Sequence, residues 1–379
     1  MDAQDICLVC GQGALEKIDS VNLGCISSDL RILDVPSSAL YCHTCGHLQK
    51  NIDETFRENV LGIYSNGYVL PGGQIDVCNG TVMSRGAAVA TSIRNSLHLP
   101  EHGTMLDFGC GHGFFLRDFH GVFQKWALYG YDITTDKVDE LSAIAGVNGI
   151  FTDGIDAVDQ RFDLITLNHV LEHLIEPVAV LRALRGLLRP GGRIIVRVPS
   201  YLELYSEFVI GDHVSLYTTR TLETAVALAG LVPDAPLQAV SGRELAMVLA
   251  AGNPKTDIVP DTANLARGKA ILAWLKTQRD LVVGELAGHP PFGLYGVSGM
   301  GGWLGSLAPD KVDFFVDDNP AMNGMRLYGI EIVSPDRIPQ GATIFVAFKR
   351  EIAAAIHDRV QASTPTVRYV YPETLTLPG

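Results

Sequence analysis

The chain is 379 residues long, 47% hydrophobic and 19% charged, with a formal net charge of −13. That length suits about two or three domains with buried cores, and the acidic balance argues against general nucleic-acid binding through phosphate neutralisation. No run is long and apolar enough to span a bilayer, and the opening MDAQDICLVC lacks the basic and apolar regions of a secretory signal. A cytoplasmic protein without a membrane partner is expected.

The chain opens with two cysteine knuckles. Cys7-Leu-Val-Cys10 precedes Gly11, and Cys42-His-Thr-Cys45 precedes Gly46. Two CxxCG turns about thirty residues apart have the spacing of a four-cysteine zinc ribbon. Each turn aims two thiolates at one point, and the glycine allows the backbone to bend tightly behind them. Four thiolates leave no open coordination position, so Cys7, Cys10, Cys42 and Cys45 predict a structural zinc; His43 and His47 remain alternative ligands. Cys25, Cys78 and Cys110 lack such pairing and read as small buried residues. Residues 1–55 are expected to form the ribbon, with strands within 29–35. A helical connector follows over 56–99, with helices over 56–64 and 80–98 and an aromatic loop around Tyr68 between them.

The central region then alternates strand and helix, the pattern of a parallel α/β sheet. An apolar run at 104–108 ends at Asp107 and Phe108, followed by Gly109, Gly111 and Gly113 and a helix-compatible stretch. The glycines let the backbone approach a ligand with no Cβ in the way, and the helix beyond offers free N–H groups. This GxGxG turn is not the dinucleotide GxGxxG, and an acid before it suits a cationic or hydroxyl-bearing ligand better than a pyrophosphate. A second strand over 126–132 ends at Asp132, placed for the two hydroxyls of a ribose, which S-adenosylmethionine and NAD both carry. A helix over 137–145 leads to a short strand over 149–154 tipped by Asp153, either facing an adenine or a solvated loop acid. A strand over 162–168 runs into His169-Val-Leu-Glu172-His173. The order HxxEH is not the HExxH of a zinc protease, and no metal is expected there. A helix over 178–188, an Arg189-Pro-Gly-Gly192 turn and a strand over 193–198 close the series.

The strings LDFGCGHG at 106–113, VLEHLIEP at 170–177 and LLRPGGRIIVRVP at 187–199 resemble those of class I S-adenosylmethionine-dependent methyltransferases. The resemblance covers residues 100–230. It implies S-adenosylmethionine as cofactor, held by Asp107, Phe108, Gly109, Gly111 and Gly113. It also implies Asp132 and Ile133 at the ribose, Asp153 and Gly154 at the adenine, and Asn168 and His169 as neighbours.

Acceptor chemistry is expected from the segment after the last of these strands, IGDHVSLYTTRTL at 210–222. His213 beside Asp212 is an acid–base candidate, since only histidine titrates near neutrality unperturbed; the alternative is a hydrogen-bonded hinge histidine. Together with the cysteine knuckles and the C-terminal block, this segment resembles the three-domain, zinc-containing sugar C-methyltransferases of deoxysugar biosynthesis. Their corresponding segment reads approximately YHEHLSYFSLRSL. His213, Ser215, Arg220 and Leu222 match, Asp212 stands for the family glutamate, and Ile210 stands for the family tyrosine. The resemblance implies a nucleotide-linked 4-keto hexose as substrate, with His213 as the base forming an enolate and Asp212 as its helper. The enolate oxygen needs a donor, for which Tyr68 or Tyr217 is available.

The C-terminal part repeats the α/β pattern. A helix over 262–288 precedes a strand and glycine-rich turn at 292–302, a strand over 312–318 ending in Asp317 and Asp318, a strand over 343–348, a helix over 350–362 and a strand over 367–371. The turn GVSGMGG does not fit GxGxxG, so no second cofactor is expected. The expected organisation is a ribbon over 1–55, a connector over 56–99, a Rossmann-like methyltransferase core over 100–235, a connector with a long helix over 236–290 and a Rossmann-like unit over 291–379. Rival readings are O- or N-methylation of a related sugar, an NAD-linked sugar oxidoreductase, and a ribbon-based binding protein with a decayed enzyme core.

Overall fold

Seven strands of the central region pair into one sheet in this computed structural model, which describes residues 6–18, 23–65, 75–78, 81–237, 240–286 and 291–379. Across the sheet the strands are Val147–Phe151, Ala127–Tyr131, Thr104–Phe108, Phe162–Asn168, Leu188–Pro199, Glu244–Ala251 and Leu231–Ala235. The first five are parallel; Glu244–Ala251 runs antiparallel to both its neighbours. The apolar runs that predict the inner strands are buried on both faces: Leu106, Leu128, Leu164, Ile165 and Ile194 are fully covered. Strand order reverses on either side of Thr104–Phe108. Open α/β sheets take their ligands at such a reversal, outside the carboxyl ends of the strands.

Several elements differ from the sequence reading. The helix expected over 80–98 begins only at Arg85 and ends at Ser96. Before it, Ile75–Cys78 and Thr81–Ser84 form a hairpin. Ser84 stops that strand and starts the helix, its hydroxyl accepting from the Ala87 N–H. The helix over 137–145 shortens to Val138–Ser142. The Arg189-Pro-Gly-Gly192 turn lies inside one long strand, with an irregular register opposite Phe162 and Leu164. The core also runs past residue 235, because Glu244–Ala251 is a full member of its sheet. The long helix spans Asn264–Arg279 and continues as wider helical turns over Asp280–Leu286. Cys25 and Cys110 are buried, while the side chain of Cys78 lies outside the described residues.

The C-terminal unit holds a second sheet, ordered Arg326–Leu327, Ile330–Val333, Phe314–Val316, Phe292–Tyr295, Thr343–Val346 and Arg368–Val370. All pairings but that of Arg326–Leu327 are parallel. Here too the order reverses, at Phe292–Tyr295.

The ribbon is not a separate bead. Its sheet, Leu15–Ile18, Ala39–Cys42 and Leu48–Lys50, takes a fourth strand, Ser215–Leu216, from the acceptor segment. Asn264 Nδ2 donates to the Gly46 carbonyl at 2.8 Å, and Trp303 Nε1 to the Leu23 carbonyl at 2.9 Å. Ribbon residues Ile18, Ile26 and Leu48 share one buried cluster with Phe208, Trp303 and Phe315. All three regions therefore pack on a common apolar centre. Among the described residues no helix is long and apolar enough to cross a membrane.

Candidate active site

The first core strand delivers Asp107 to a buried position. Its Oδ1 accepts from Thr166 Oγ1 at 2.7 Å and from Asn168 Nδ2 at 3.2 Å, both on the neighbouring strand. Burial pushes the Asp107 carboxyl up to about 7, against the pull of those two donors. The three glycines that follow all have positive φ: +78° at Gly109, +49° at Gly111 and +69° at Gly113. A Cβ on Gly109 would lie 2.5 Å from Val170 Cγ2, and one on Gly113 2.5 Å from Ile144 Cδ1. A Cβ on Gly111 would meet nothing within 4 Å. Gly109 and Gly113 are thus glycine for close packing, whereas Gly111 opens its backbone onto free space. The helix Phe114–Val122 starts there with no side-chain cap. An open glycine cradle under an uncapped helix start, beside a buried acid, fits the amino-acid end of S-adenosylmethionine.

The ribose and adenine candidates lie at the neighbouring strand tips. Asp132 Oδ2 accepts from the Gly111 N–H at 2.8 Å, and its Oδ1 from the N–H and hydroxyl of Thr134. Asp132 therefore braces the glycine turn as well as marking the strand tip. Ile133 is an exposed apolar side chain, and Asp153 and Gly154 are exposed. Phe108 is buried and stacked on Tyr131, with centroids 4.5 Å apart. None of these five lines the main cavity.

That cavity, of about 570 Å³, starts at Asp107 and Gly109–Gly111 and runs past Asn168 and His169 to His173 and His213. It ends on the C-terminal unit, at Ser298, Gly299, Met300, Phe348 and Lys349. The carboxyl ends of Phe292–Tyr295 and Thr343–Val346 supply that far wall. Two Rossmann-like sheets thus present their ligand-binding edges to one space.

His169 has φ +56° and is fully engaged: its Nε2 lies 3.0 Å from Glu244 Oε1 and its Nδ1 3.3 Å from Glu172 Oε1. Burial opposes its protonation, but the two carboxylates outweigh burial and raise its proton affinity. Glu244 also pairs with the buried Arg197 and with Arg85.

Three side chains from two segments meet beside the cavity, with His173 and His213 on its wall and Glu172 buried behind them. Glu172, His173 and His213 bring their ligating atoms within 4.8 Å of one another. The two imidazoles pack edge to face with centroids 4.7 Å apart. His173 Nδ1 lies 3.0 Å from the Asp212 carbonyl oxygen; a carbonyl only accepts, so that nitrogen carries the hydrogen and Nε2 is left as the acceptor. His213 Nδ1 hydrogen-bonds the buried carboxylate of Glu207. Burial opposes a proton on His213, but Glu207 above all, then Asp212 and Glu172, push the imidazole up to about 9. Burial and the charge of His213 together hold His173 low.

Two catalytic expectations need correction. Asp212 does not orient His213. It lies in the turn that precedes His213, and its carboxylate accepts instead from the Ser28 N–H at 2.7 Å and the Ser28 hydroxyl at 2.5 Å. Tyr217 is fully buried against His47, centroids 5.2 Å apart, and is absent from the cavity wall. The pairing of Ser215–Leu216 with the ribbon carries it inward. Tyr68 lies outside the described residues. Sequence reasoning missed Glu207, six positions before His213 on a short turn, because no fixed spacing links a histidine to such a partner. It also missed Ser28, which the ribbon contributes to the cavity wall.

The four knuckle cysteines do converge. Cys7 Sγ lies 3.6 Å from Cys45 Sγ, and Cys10 Sγ 3.6 Å from Cys42 Sγ. A tetrahedral zinc with bonds of about 2.3 Å needs sulfurs about 3.8 Å apart, so this donor set fits zinc. His43 pairs with Glu16 at the surface and His47 hydrogen-bonds Ser215, which removes both as alternative ligands.

Residues 85–235 match the family model described as a methyltransferase domain, and with the sheet order above they form a methyltransferase domain of the α/β, Rossmann-like type. The chain is similar to the ubiquinone biosynthesis O-methyltransferase of Parvibaculum lavamentivorans, 26% identical over 147 residues, covering 33% of this chain and 57% of that protein. It is also similar to the protein of the same description from Cereibacter sphaeroides, 28% identical over 138 residues, with coverages of 34% and 55%. The match therefore spans little more than half the length of these curated relatives. Among solved structures, a S-adenosylmethionine-dependent methyltransferase from Clostridium acetobutylicum aligns at 14% identity and TM-score 0.36, covering 44% of this chain and 91% of that one.

Proposed function

We propose that the chain is a S-adenosylmethionine-dependent methyltransferase that methylates a nucleotide-linked 4-keto hexose at the carbon beside the ketone. The observation that carries this reading is the His213–Glu207 pair on the wall of the cavity that also holds the glycine cradle. S-Adenosylmethionine, when bound, supplies a methyl on a positively charged sulfur that needs no further activation. The chain's task is to hold that group at Gly111 and Asp107, present an acceptor carbon to it, and remove that carbon's proton. His213 would take the proton at Nε2, while Glu207 holds Nδ1 and stabilises the imidazolium. Ser298 and Lys349 on the far wall leave room for the nucleotide part of the substrate, with Lys349 held there by Glu203 at 2.9 Å.

The buried acid, the open glycine cradle and the intact histidine–carboxylate pair speak against a decayed enzyme core. The matched domain speaks against the NAD-linked oxidoreductase. O-Methylation stays as a second reading, because both curated relatives are described as O-methyltransferases. Ile210 on the cavity wall also fits a reaction that needs a base but no donor for an enolate.

His213→Asn is expected to abolish methyl transfer while leaving the calorimetric affinity for S-adenosylmethionine nearly unchanged. Because His213 is a base only when neutral, the wild-type rate should rise as pH rises towards about 9. Turnover surviving in His213→Asn would place the base elsewhere.

A further inference from the structure

Lys50, the last residue of the ribbon strand Leu48–Lys50, is 2% exposed. A buried ammonium is costly unless charges or acceptors meet it. Its surroundings are specific. The Lys50 backbone N–H donates to the Val214 carbonyl at 2.8 Å. Its Nζ donates to the Phe208 carbonyl. One residue thereby grips both ends of the short segment that carries Ile210, Asp212 and His213. Phe208 is also the immediate neighbour of Glu207, the carboxylate that holds His213.

The charges around the site are few and can be named. His213 faces Glu207 and Asp212 from its own segment and its flank, and Glu172 and His173 from the turn Leu171–His173. Lys50 faces Glu207, Asp212 and the Cys25 thiol. Burial pulls the Lys50 ammonium down and those groups pull it back. Three carboxylates against one imidazole overfill the site with negative charge. They hold the His213 proton, up to about 9 even with Lys50 in place. A cation behind Glu207 and Asp212 keeps that hold from tightening further.

We propose that Lys50 is the positioning residue of the base: it clamps both ends of the His213 segment, and its positive charge opposes the carboxylates that hold the His213 proton. The inference rests on the reading of His213 as base, and it gives the ribbon an indirect part in the chemistry. Lys50 touches neither substrate nor cofactor and acts through Glu207 and the segment backbone.

The test is the titration of His213 in the full-length free protein, followed by NMR of isotope-labelled imidazoles, with His213→Asn used to assign the signal. In Lys50→Gln, which can still donate to the Phe208 carbonyl, the His213 midpoint should move up by about one pH unit. The acidic limb of turnover should follow it. Lys50→Arg should restore a midpoint close to wild type. Lys50→Met is expected to behave as Lys50→Gln if it folds, and the Gln variant carries the test if it does not. An unchanged His213 midpoint in folded Lys50→Gln, or a shift equally large in Lys50→Arg, would overturn the proposal. The midpoint is read without substrate, so it stands apart from whether the acceptor is a keto sugar; failure of that reading would show as no methylation of keto sugars by the wild type.

Discussion

Asp107 and Asp132 sit at the tips of adjacent strands, yet they meet different surroundings. Asp132 is spent on the N–H groups of Gly111 and Thr134. Asp107 is buried with two side-chain donors and is held at about 7 by its burial. The sign follows directly: below that value the carboxyl is neutral, and above it the carboxylate is anionic and attracts a cation. Affinity for S-adenosylmethionine should therefore rise about tenfold between pH 6 and pH 8. Asp107→Asn should flatten that dependence in calorimetric titrations, and a flat wild-type profile would contradict the role given to Asp107. The places of both acids were legible in the sequence because each stands at the end of an apolar run that reads as a strand. Glu207, Ser28 and Lys50 were not legible. They reach the His213 segment from a turn and from the ribbon, through contacts that span up to 184 positions of chain, and no local spacing encodes them.

The glycine turn shows how one element serves two purposes. At Gly109 a methyl would press on Val170 at 2.5 Å in a backbone conformation with φ +78°. Gly109→Ala should lower stability by about 2 kcal/mol or more, through strain and overpacking together. At Gly111 the same methyl would enter open space, so Gly111→Ala should cost about 1 kcal/mol from its positive φ alone. It should, however, weaken cofactor binding at least tenfold by filling the cradle. Denaturant unfolding beside calorimetry separates the two effects, and equal binding by both variants would contradict the assignment of the cradle to Gly111. The five parallel strands of the central sheet were read well at this scale, since continuous apolar runs between turns admit few alternatives. The expected helix over 80–98 failed at its start because Thr81–Ser84 pairs with Ile75–Cys78, and Ser84 caps the helix after that pairing. The sheet takes in one strand beyond residue 235, because Glu244–Ala251 returns antiparallel to complete it.

At the scale of the whole molecule, two Rossmann-like sheets face one cavity and the ribbon braces the loop between them. The glycine cradle and the far wall of the cavity belong to different units, and the ribbon touches both: it pairs with Ser215–Leu216 and holds Asp212 through Ser28 on one side, and accepts from Trp303 at Leu23 on the other. Sequence patterning gave the two α/β units separately but not their shared space, because the packing of one sheet edge against another leaves no periodic trace. The arrangement suits an acceptor with two parts, one reacting beside the cofactor and one held by the C-terminal unit. The most direct test is transfer from carbon-13 methyl-labelled S-adenosylmethionine to a panel of nucleotide-linked sugars with and without a 4-keto group, read by NMR for the atom bonded to the new methyl. The account predicts a carbon-bonded methyl, formed only on the keto sugars and lost in His213→Asn. A methyl bonded to oxygen or nitrogen would contradict it.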